Sequence, residues 1–456
     1  MGAPIETLAQ FVAETQWDAI PPAVQQHARL VLLDTLGVIL AGAEQPEVAQ
    51  VRARLLASGG TGATVYTRGG PITDPRTAAL LNGIAGRTIE LCEGHRYVSC
   101  QGAVQIVPAV LATGEWANGS GREALTALIV GYDVAVRIGA SITPRALAHQ
   151  NGQTALLGAV AAGARLRGLN AAETSRALRI GATLVLTPSY TNAVAGATAL
   201  NVAGGMSGFA GTLAPELALA GFSAQENAIE EAFSRLVGEG FQPEKLLDEL
   251  GQRWEISRNY FRLRGCCNPI YAALDALEEA LADLHPAPDD IAHIEVATYR
   301  FASVMQNPNP PNAFAARYSL PHAAAAIVRH GHAGYSSFTD AVVHDPAIAA
   351  LRQRVRIVED PALTALTPRL KPARVTVTLT DGRHSTRTCD SARGDFQRPY
   401  TAAEVRAKFR DLARLVLSPD GVATIEHTID QFDHIASMQH LAQQIRQYSV
   451  TPGTAC

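Results

Sequence analysis

The feature that most constrains this chain is a single change in the spacing of its apolar residues. Up to about residue 260 they recur every three or four positions, as in Ala28-Arg29-Leu30-Val31-Leu32-Leu33-Asp34-Thr35-Leu36 and Glu123-Ala124-Leu125-Thr126-Ala127-Leu128-Ile129. After residue 285 they alternate, as in Ile294-Glu295-Val296-Ala297-Thr298-Tyr299 and Arg374-Val375-Thr376-Val377-Thr378-Leu379. The first spacing turns one face of a helix toward a core, and the second does the same for a strand. Gly and Pro at Gly59-Gly60, Gly69-Gly70-Pro71 and Gly119 to Gly121 cut the first part into many short helices. Asp381-Gly382 predicts a tight turn, with Arg383 to Cys389 returning as the second strand of a hairpin. Thr401-Ala402-Ala403-Glu404 has the form of a capping box, so helix resumes there. A chain of 456 residues exceeds what one hydrophobic core sustains. The pattern therefore predicts a mainly α protein. Its large all-α domain spans 1–267 and is completed by 395–456, with a smaller α+β domain inserted at 268–394.

No charged side chain occurs between Arg179 and Glu216. A lipid-facing span would be long and unbroken, whereas this stretch holds Pro188, Asn192, Asn201 and Gly204-Gly205, so buried helices are expected and no membrane association. A formal net charge of −4 without a long basic run argues against nucleic acid and leaves a small molecule as the expected partner. Met1 to Gln16 carries Glu6 and Glu14 and lacks the basic start and apolar run of a secretory signal. Six cysteines, Cys92, Cys100, Cys266, Cys267, Cys389 and Cys456, are too few for a disulfide framework. Together these features predict a cytoplasmic protein.

Familiar site motifs are missing. There is no G-x-x-x-x-G-K-[ST], no G-x-G-x-x-G after a strand, and Gly205-Met206-Ser207-Gly208 lacks the spacing of a nucleophile elbow. The lysines are Lys245, Lys371 and Lys408, none in a context that suggests a buried amine, which argues against Schiff-base chemistry. His322, His330 and His332 lack the i, i+4 pairing with an acidic neighbour that a metal site would use.

Several stretches nevertheless fall in a specific order: Leu33-Asp34-Thr35-Leu36-Gly37, Leu81-Asn82-Gly83-Ile84-Ala85, and Cys266-Cys267 leading into Ala273-Leu274-Asp275-Ala276-Leu277. Ala316-Arg317-Tyr318-Ser319-Leu320-Pro321-His322, Gly394-Asp395 and Ala407-Lys408-Phe409 follow. In this order the chain resembles the MmgE/PrpD family of 2-methylcitrate dehydratases, cis-aconitate decarboxylases and iminodisuccinate epimerases. The resemblance implies a homodimer with a helical domain and a lid-like α+β domain, working without metal or organic cofactor. The site is expected between the domains, where a proton is removed alpha to a carboxylate while cationic groups hold the developing charge.

Position by position, the chain departs from that family. The family's Asp-Phe-Asp-Asp loop is Glu90-Leu91-Cys92-Glu93, and the histidine that usually follows about ten residues later is replaced at Gln101-Gly102. His95, inside the loop, can take over that role or merely bond the backbone. A second family histidine is retained as His149, nine residues ahead of Gly158, and is the leading catalytic candidate. The lysine of a Thr-Lys-Pro motif falls on Thr198, and the lysine ahead of the Pro-Cys segment is Arg262, with Arg264 close by. A guanidinium can clamp a carboxylate but serves poorly as an acid or base. The aromatic position of Ser-Leu-Pro-Tyr is His322, four residues after Tyr318. Cys266 and Cys267 have no base beside them and read as small buried thiols.

The resulting expectation is a lyase, a dehydratase or decarboxylase, acting on a small carboxylic acid. His149 would be its acid or base with His95 or His322 as counterpart, Glu90 would orient the site, and Arg262, Arg264, Gln101, Thr198 and Tyr318 would contact substrate. An epimerase that returns the proton to the opposite face, with His149 and His322 as two bases, is the alternative. A binding protein on the same scaffold is the third.

Overall fold

A computed structural model describes residues 4–56, 60–395 and 397–450. Gly59 of the first expected boundary, and Cys456, lie outside the described residues. The helices of ten residues or more are α1 Pro4–Glu14, α2 Pro22–Gly42, α3 Pro46–Leu55, α4 Pro75–Thr88, α5 Gly102–Trp116, α6 Gly121–Ser141, α7 Thr154–Leu166, α8 Ala171–Ala182 and α9 Val202–Leu219. After them come α10 Tyr271–Leu284, α11 Leu320–His330, α12 Ala402–Ala413, α13 Pro419–Asp430 and α14 Gln439–Tyr448. The protein is mainly α, as the spacing predicts. Starts are set by local chemistry. Asp74 accepts from the N–H groups of Arg76 and Thr77 ahead of α4, and full capping boxes open α6 (Ser120, Glu123), α8 (Asn170, Glu173) and α12 (Thr401, Glu404).

The alternating segments form one four-stranded sheet from β3 Ile291–Thr298, β4 Val355–Glu359, β5 Ala373–Leu379 and β6 His384–Cys389, in the order β6-β5-β3-β4. The Asp381-Gly382 turn joins β5 to β6 as an antiparallel pair, with Thr378 opposite His384 and Gly382 at a φ of +87°. A strand that the spacing did not announce, β4, pairs parallel with β3 at Ile294 and Val355. Shorter pairs occur in the helical part. One of them, β1 Gly94–His95 with β2 Asn259–Tyr260, becomes important below.

Two of the hydrophobic cores bear on the site. Leu33 and Leu36 of α2, Ile106 of α5 and Leu128 of α6 share one core with Phe409 of α12, Ile425 of α13 and Ile445 of α14, so the C-terminal helices return to the N-terminal body. Leu274 of α10, Ile294 and Val296 of β3, Val375 and Val377 of β5 and Leu320 of α11 form another, which also encloses Cys266 and Cys267. The return is anchored by charge: Lys408 of α12 is buried, with its amine 2.7 Å from Asp34 of α2 and 2.6 Å from the Leu91 carbonyl. This corrects the expectation that no lysine is buried. The sequence around Lys408 is amphipathic, and the burying partner Asp34 lies 374 positions away.

The charge-free stretch becomes packing rather than a lipid-facing span. Gly204, Gly205, Gly208 and Gly211 of α9 let α4, α5 and α7 approach its backbone. A Cβ on Gly163 of α7 would stand 1.9 Å from the Gly211 carbonyl oxygen, which leaves no room for a methyl group. We expect Gly163→Ala to cost about 1–3 kcal/mol through overpacking, read as a lower urea midpoint at unchanged slope. An unaltered midpoint would mean that these helices move apart freely.

Candidate active site

The site is built around a turn. After α4 the chain bends at Glu90, whose φ of +53° is a left-handed conformation that costs a non-glycine residue about 1–2 kcal/mol. The bend is gripped from outside by buried Arg317, whose guanidinium donates to the carbonyls of Ile89 at 2.7 Å and Gly265 at 2.9 Å. Beyond the turn, β1 pairs with β2, with Gly94 opposite Tyr260, and this register sets Arg262 two residues further beside the turn.

The bend delivers the Glu90 carboxylate between two guanidinium groups. Arg87, from the last turn of α4, bonds one oxygen, and Arg262 donates to the other at 2.6 Å. Tyr318 donates its hydroxyl proton to Glu90 at 2.9 Å and accepts from Arg87 at 2.8 Å, while the Gln101 amide reaches Glu90 at 3.4 Å. All five side chains are buried. Burial alone would push the carboxyl of Glu90 up, but Arg87 and Arg262 outweigh it and hold the group far below the usual range. With two guanidinium groups and one carboxylate, the cluster keeps an excess positive charge. The Nε atoms of Arg87 and Arg262 are buried and bond nothing among the described residues.

His149 stands within electrostatic reach of Arg87, Glu90 and Arg262. Its ring stacks on Tyr190 with centroids 5.5 Å apart, and its Nδ1 accepts the N–H of Asn151 at 3.2 Å. An accepting Nδ1 carries no proton, so the neutral ring is protonated at Nε2. Burial lowers the imidazole's pKa first, and Arg87 and Arg262 lower it further against the opposing Glu90, down to about 3. His149 is thus a neutral imidazole offering an N–H.

Glu90, Arg262, Gln101 and Tyr318 are therefore brought together, with His149 beside them. The other expected residues go elsewhere. His95, in β1, points its Nε2 at Glu255, 3.2 Å away, and receives the Tyr97 N–H on Nδ1. Both nitrogens of His322 are engaged, one with the Ser337 carbonyl at 2.9 Å and the other with Arg352 at 3.1 Å, and its ring lies 5.2 Å from that of Phe338. The paired imidazoles needed by the two-base epimerase reading are therefore not assembled. Arg264 is consumed by Asp275 at 2.6 Å and Glu278 at 2.8 Å. Thr198 opens the short turn Thr198–Asn201 ahead of α9, half-buried and without a hydrogen bond to the cluster. Arg262 and Arg264, two apart, would share a face of a regular strand; they part because β2 ends at Tyr260 and the chain beyond it is irregular.

Sequence reasoning missed Arg87 and Lys371. Arg87 was open to detection as a lone cation in the otherwise uncharged run Ala78 to Ile89. Gly204 makes room for it, since a Cβ there would sit 3.2 Å from the Arg87 Cβ. Lys371 bonds Asn268 at 3.2 Å, and burial, with Arg96 and Arg262, brings its amine down to about 8. Half-buried by its surface, it departs only in part from the expectation that no lysine sits in a buried setting. Among the described residues no three of His, Cys, Asp and Glu gather as a metal site.

Residues 6–245 match the MmgE/PrpD N-terminal domain and residues 265–434 the MmgE/PrpD C-terminal domain. The cis-aconitate decarboxylase-like protein oryM of Aspergillus oryzae is 22% identical over 469 residues, covering 95% of each chain. Cis-aconitate decarboxylase of Aspergillus terreus is 23% identical, over 96% of this chain and 94% of its own. That of Mus musculus is 23% identical, over 98% and 94%.

The cluster makes an ordered prediction. Glu90→Gln leaves two buried cations without a counter-charge and should cost about 3–5 kcal/mol, whereas Arg87→Met leaves Glu90 paired with Arg262 and should cost less. Urea unfolding of both variants decides; an equal or reversed order contradicts the assignment of Glu90 as the shared anion.

Proposed function

The chain belongs to the MmgE/PrpD family, and on that premise we propose that it is a lyase acting on a small carboxylic acid. In this reading negative charge develops on a carbon next to a carboxylate held by Arg87 and Arg262. Their unpartnered Nε–H groups are the donors left for such an anion once Glu90 has taken its share. The excess positive charge that disfavours an imidazolium at His149 favours the carbanion equally well.

The observation that carries the reading further is the Asn151 N–H on Nδ1 of His149, which assigns the ring proton to Nε2. A dehydratase starting with proton removal needs a free lone pair there, while a decarboxylase needs a donor. We therefore favour decarboxylation, the activity for which the similar proteins of Aspergillus terreus and Mus musculus are named. The bond between the substrate's carbon and one carboxyl breaks, carbon dioxide leaves, and the electron pair stays on the carbon. His149 then delivers its Nε2 proton to that carbon and is reprotonated from solvent. Tyr318 and Gln101 hold Glu90 and through it the two guanidinium groups, so they are positioning residues.

The same reading makes the α+β part, residues 268–394, a lid. Tyr318 comes from it and closes onto Glu90 and Arg87 of the helical part. A homodimer belongs to the proposal as well, with Phe222 and Leu236, 62% and 68% exposed, as apolar contact residues.

Small di- and tricarboxylic acids, cis-aconitate among them, and their monoamides, incubated in D2O and followed by proton NMR, test the proposal. One of them should lose carbon dioxide and gain one solvent deuteron at the carbon that lost it. His149→Ala should lower that rate by about 10²–10⁴-fold with its circular dichroism unchanged. Full activity in the variant, or no acid altered by the wild type, would refute it.

A further inference from the structure

Next to the charged cluster, and sharing Gln101 with it, lies a set of buried polar side chains whose unpaired atoms the proposed chemistry does not use. Gln101, Asn151, Gln153 and Asn201 are each at most 4% exposed. The Oε1 of Gln101, both amide atoms of Asn151 and of Asn201, and the Nε2 of Gln153 have no hydrogen-bond partner among the described residues. A buried amide atom left unpaired costs about 1–3 kcal/mol, so four such side chains in one neighbourhood point to a group that binds among them.

Gln105 of α5 ties them together. Its Oε1 accepts from the Gly152 N–H and from the Ser207 hydroxyl, both at 2.9 Å, and its Nε2 donates to the Gln101 carbonyl at 2.9 Å. Asn151 and Gln153 flank Gly152, and Asn151 also donates its backbone N–H to His149. Asn201, Gly204 and Ser207 follow at three-residue spacing on one face of the helical run into α9, the face that meets Arg87 at Gly204 and Gln105 at Ser207. The unpaired amides thus border His149, Arg87 and Glu90, the last through the other end of Gln101.

Their chemistry is balanced. Three oxygens are free to accept, on Gln101, Asn151 and Asn201, and three amide nitrogens are free to donate, on Asn151, Gln153 and Asn201. The Gln101 orientation is fixed, because Glu90 can only accept and therefore takes its NH2 end. A second carboxylate brought here would satisfy the nitrogens but set its own oxygens against three others, with no cation among these four residues to compensate. A carboxamide has two N–H donors and one acceptor and suits both halves of the set.

We propose that Gln101, Asn151, Gln153 and Asn201 form an uncharged recognition subsite for a carboxamide arm of the substrate, which is then a monoamide of a small tricarboxylic acid, with one carboxylate to be lost and one for the guanidinium groups. The inference rests on the lyase reading for which end of the substrate reacts, and on the unpaired amides for what the other end is. It replaces the charge lost from the family pattern at Thr198 with neutral hydrogen bonding.

Calorimetric titration of the full chain with succinamate and with succinate tests this without turnover, and so separately from the deuterium experiment. Succinamate should bind at least about tenfold more tightly than succinate, because a site built for hydrogen bonding rejects the analogue that mispairs. Asn201→Leu should bring the two affinities to within about threefold of each other. Asn151→Leu, read the same way, serves if the first variant does not fold. Succinate bound as tightly as succinamate, no binding of either, or a preference unchanged in a folded variant would each overturn the proposal and show a water-filled pocket.

Discussion

A carboxylate held between two buried guanidinium groups is the interaction on which the rest of this structure depends. Glu90 occupies a left-handed backbone conformation to reach Arg87 and Arg262, and Arg317 secures the bend by bonding the carbonyls on either side of the junction. The segments that meet here come from distant parts of the chain: the end of α4, the stretch after β2, and the approach to α11. The first supplies Arg87 and Glu90, the second Arg262 and the third Tyr318. Removing a buried ion's partner is far costlier than building the set was favourable, so the cluster acts as a registration device between the helical part and the α+β part.

The same excess of positive charge shapes the chemistry. With burial it disfavours an imidazolium at His149, and in the proposed lyase the same charge favours the anion of a bound acid. The stacking of His149 on Tyr190 and the Asn151 N–H on its Nδ1 then choose the orientation and the tautomer. Beside this charged half, the unpaired amides of Asn151, Gln153 and Asn201 form a neutral one, and in the proposed lyase selectivity rests on that contrast.

Much of the fold was legible in the residues, because helix and strand periodicity, the Asp381-Gly382 turn and the Thr401 capping box are local signals with local causes. The strand Val355–Glu359 was not, since a parallel partner to β3 is selected by tertiary pairing rather than by its own alternation. At the site, Glu90, Arg262, Gln101 and Tyr318 could be placed by resemblance, whereas His95, His322 and Arg264 were drawn into other pairs by Glu255, by Ser337 and Arg352, and by Asp275. Those partners lie too far along the chain for any spacing rule to reveal them. Arg87, Lys371 and Lys408 escaped for the related reason that burial of a cation depends on counter-charges and backbone room supplied by distant segments, such as Asp34 for Lys408 and Gly204 for Arg87.

The central claim is that burial, reinforced by Arg87 and Arg262, keeps His149 neutral, and that the Asn151 N–H on Nδ1 leaves its proton on Nε2. Nitrogen NMR of the protein labelled at histidine, titrated from pH 5 to pH 8, measures this directly. The account predicts for His149 an Nε2–H signal that does not move across that interval, because the imidazole protonates only near 3. A midpoint close to 6.5, or a proton found on Nδ1, would contradict it.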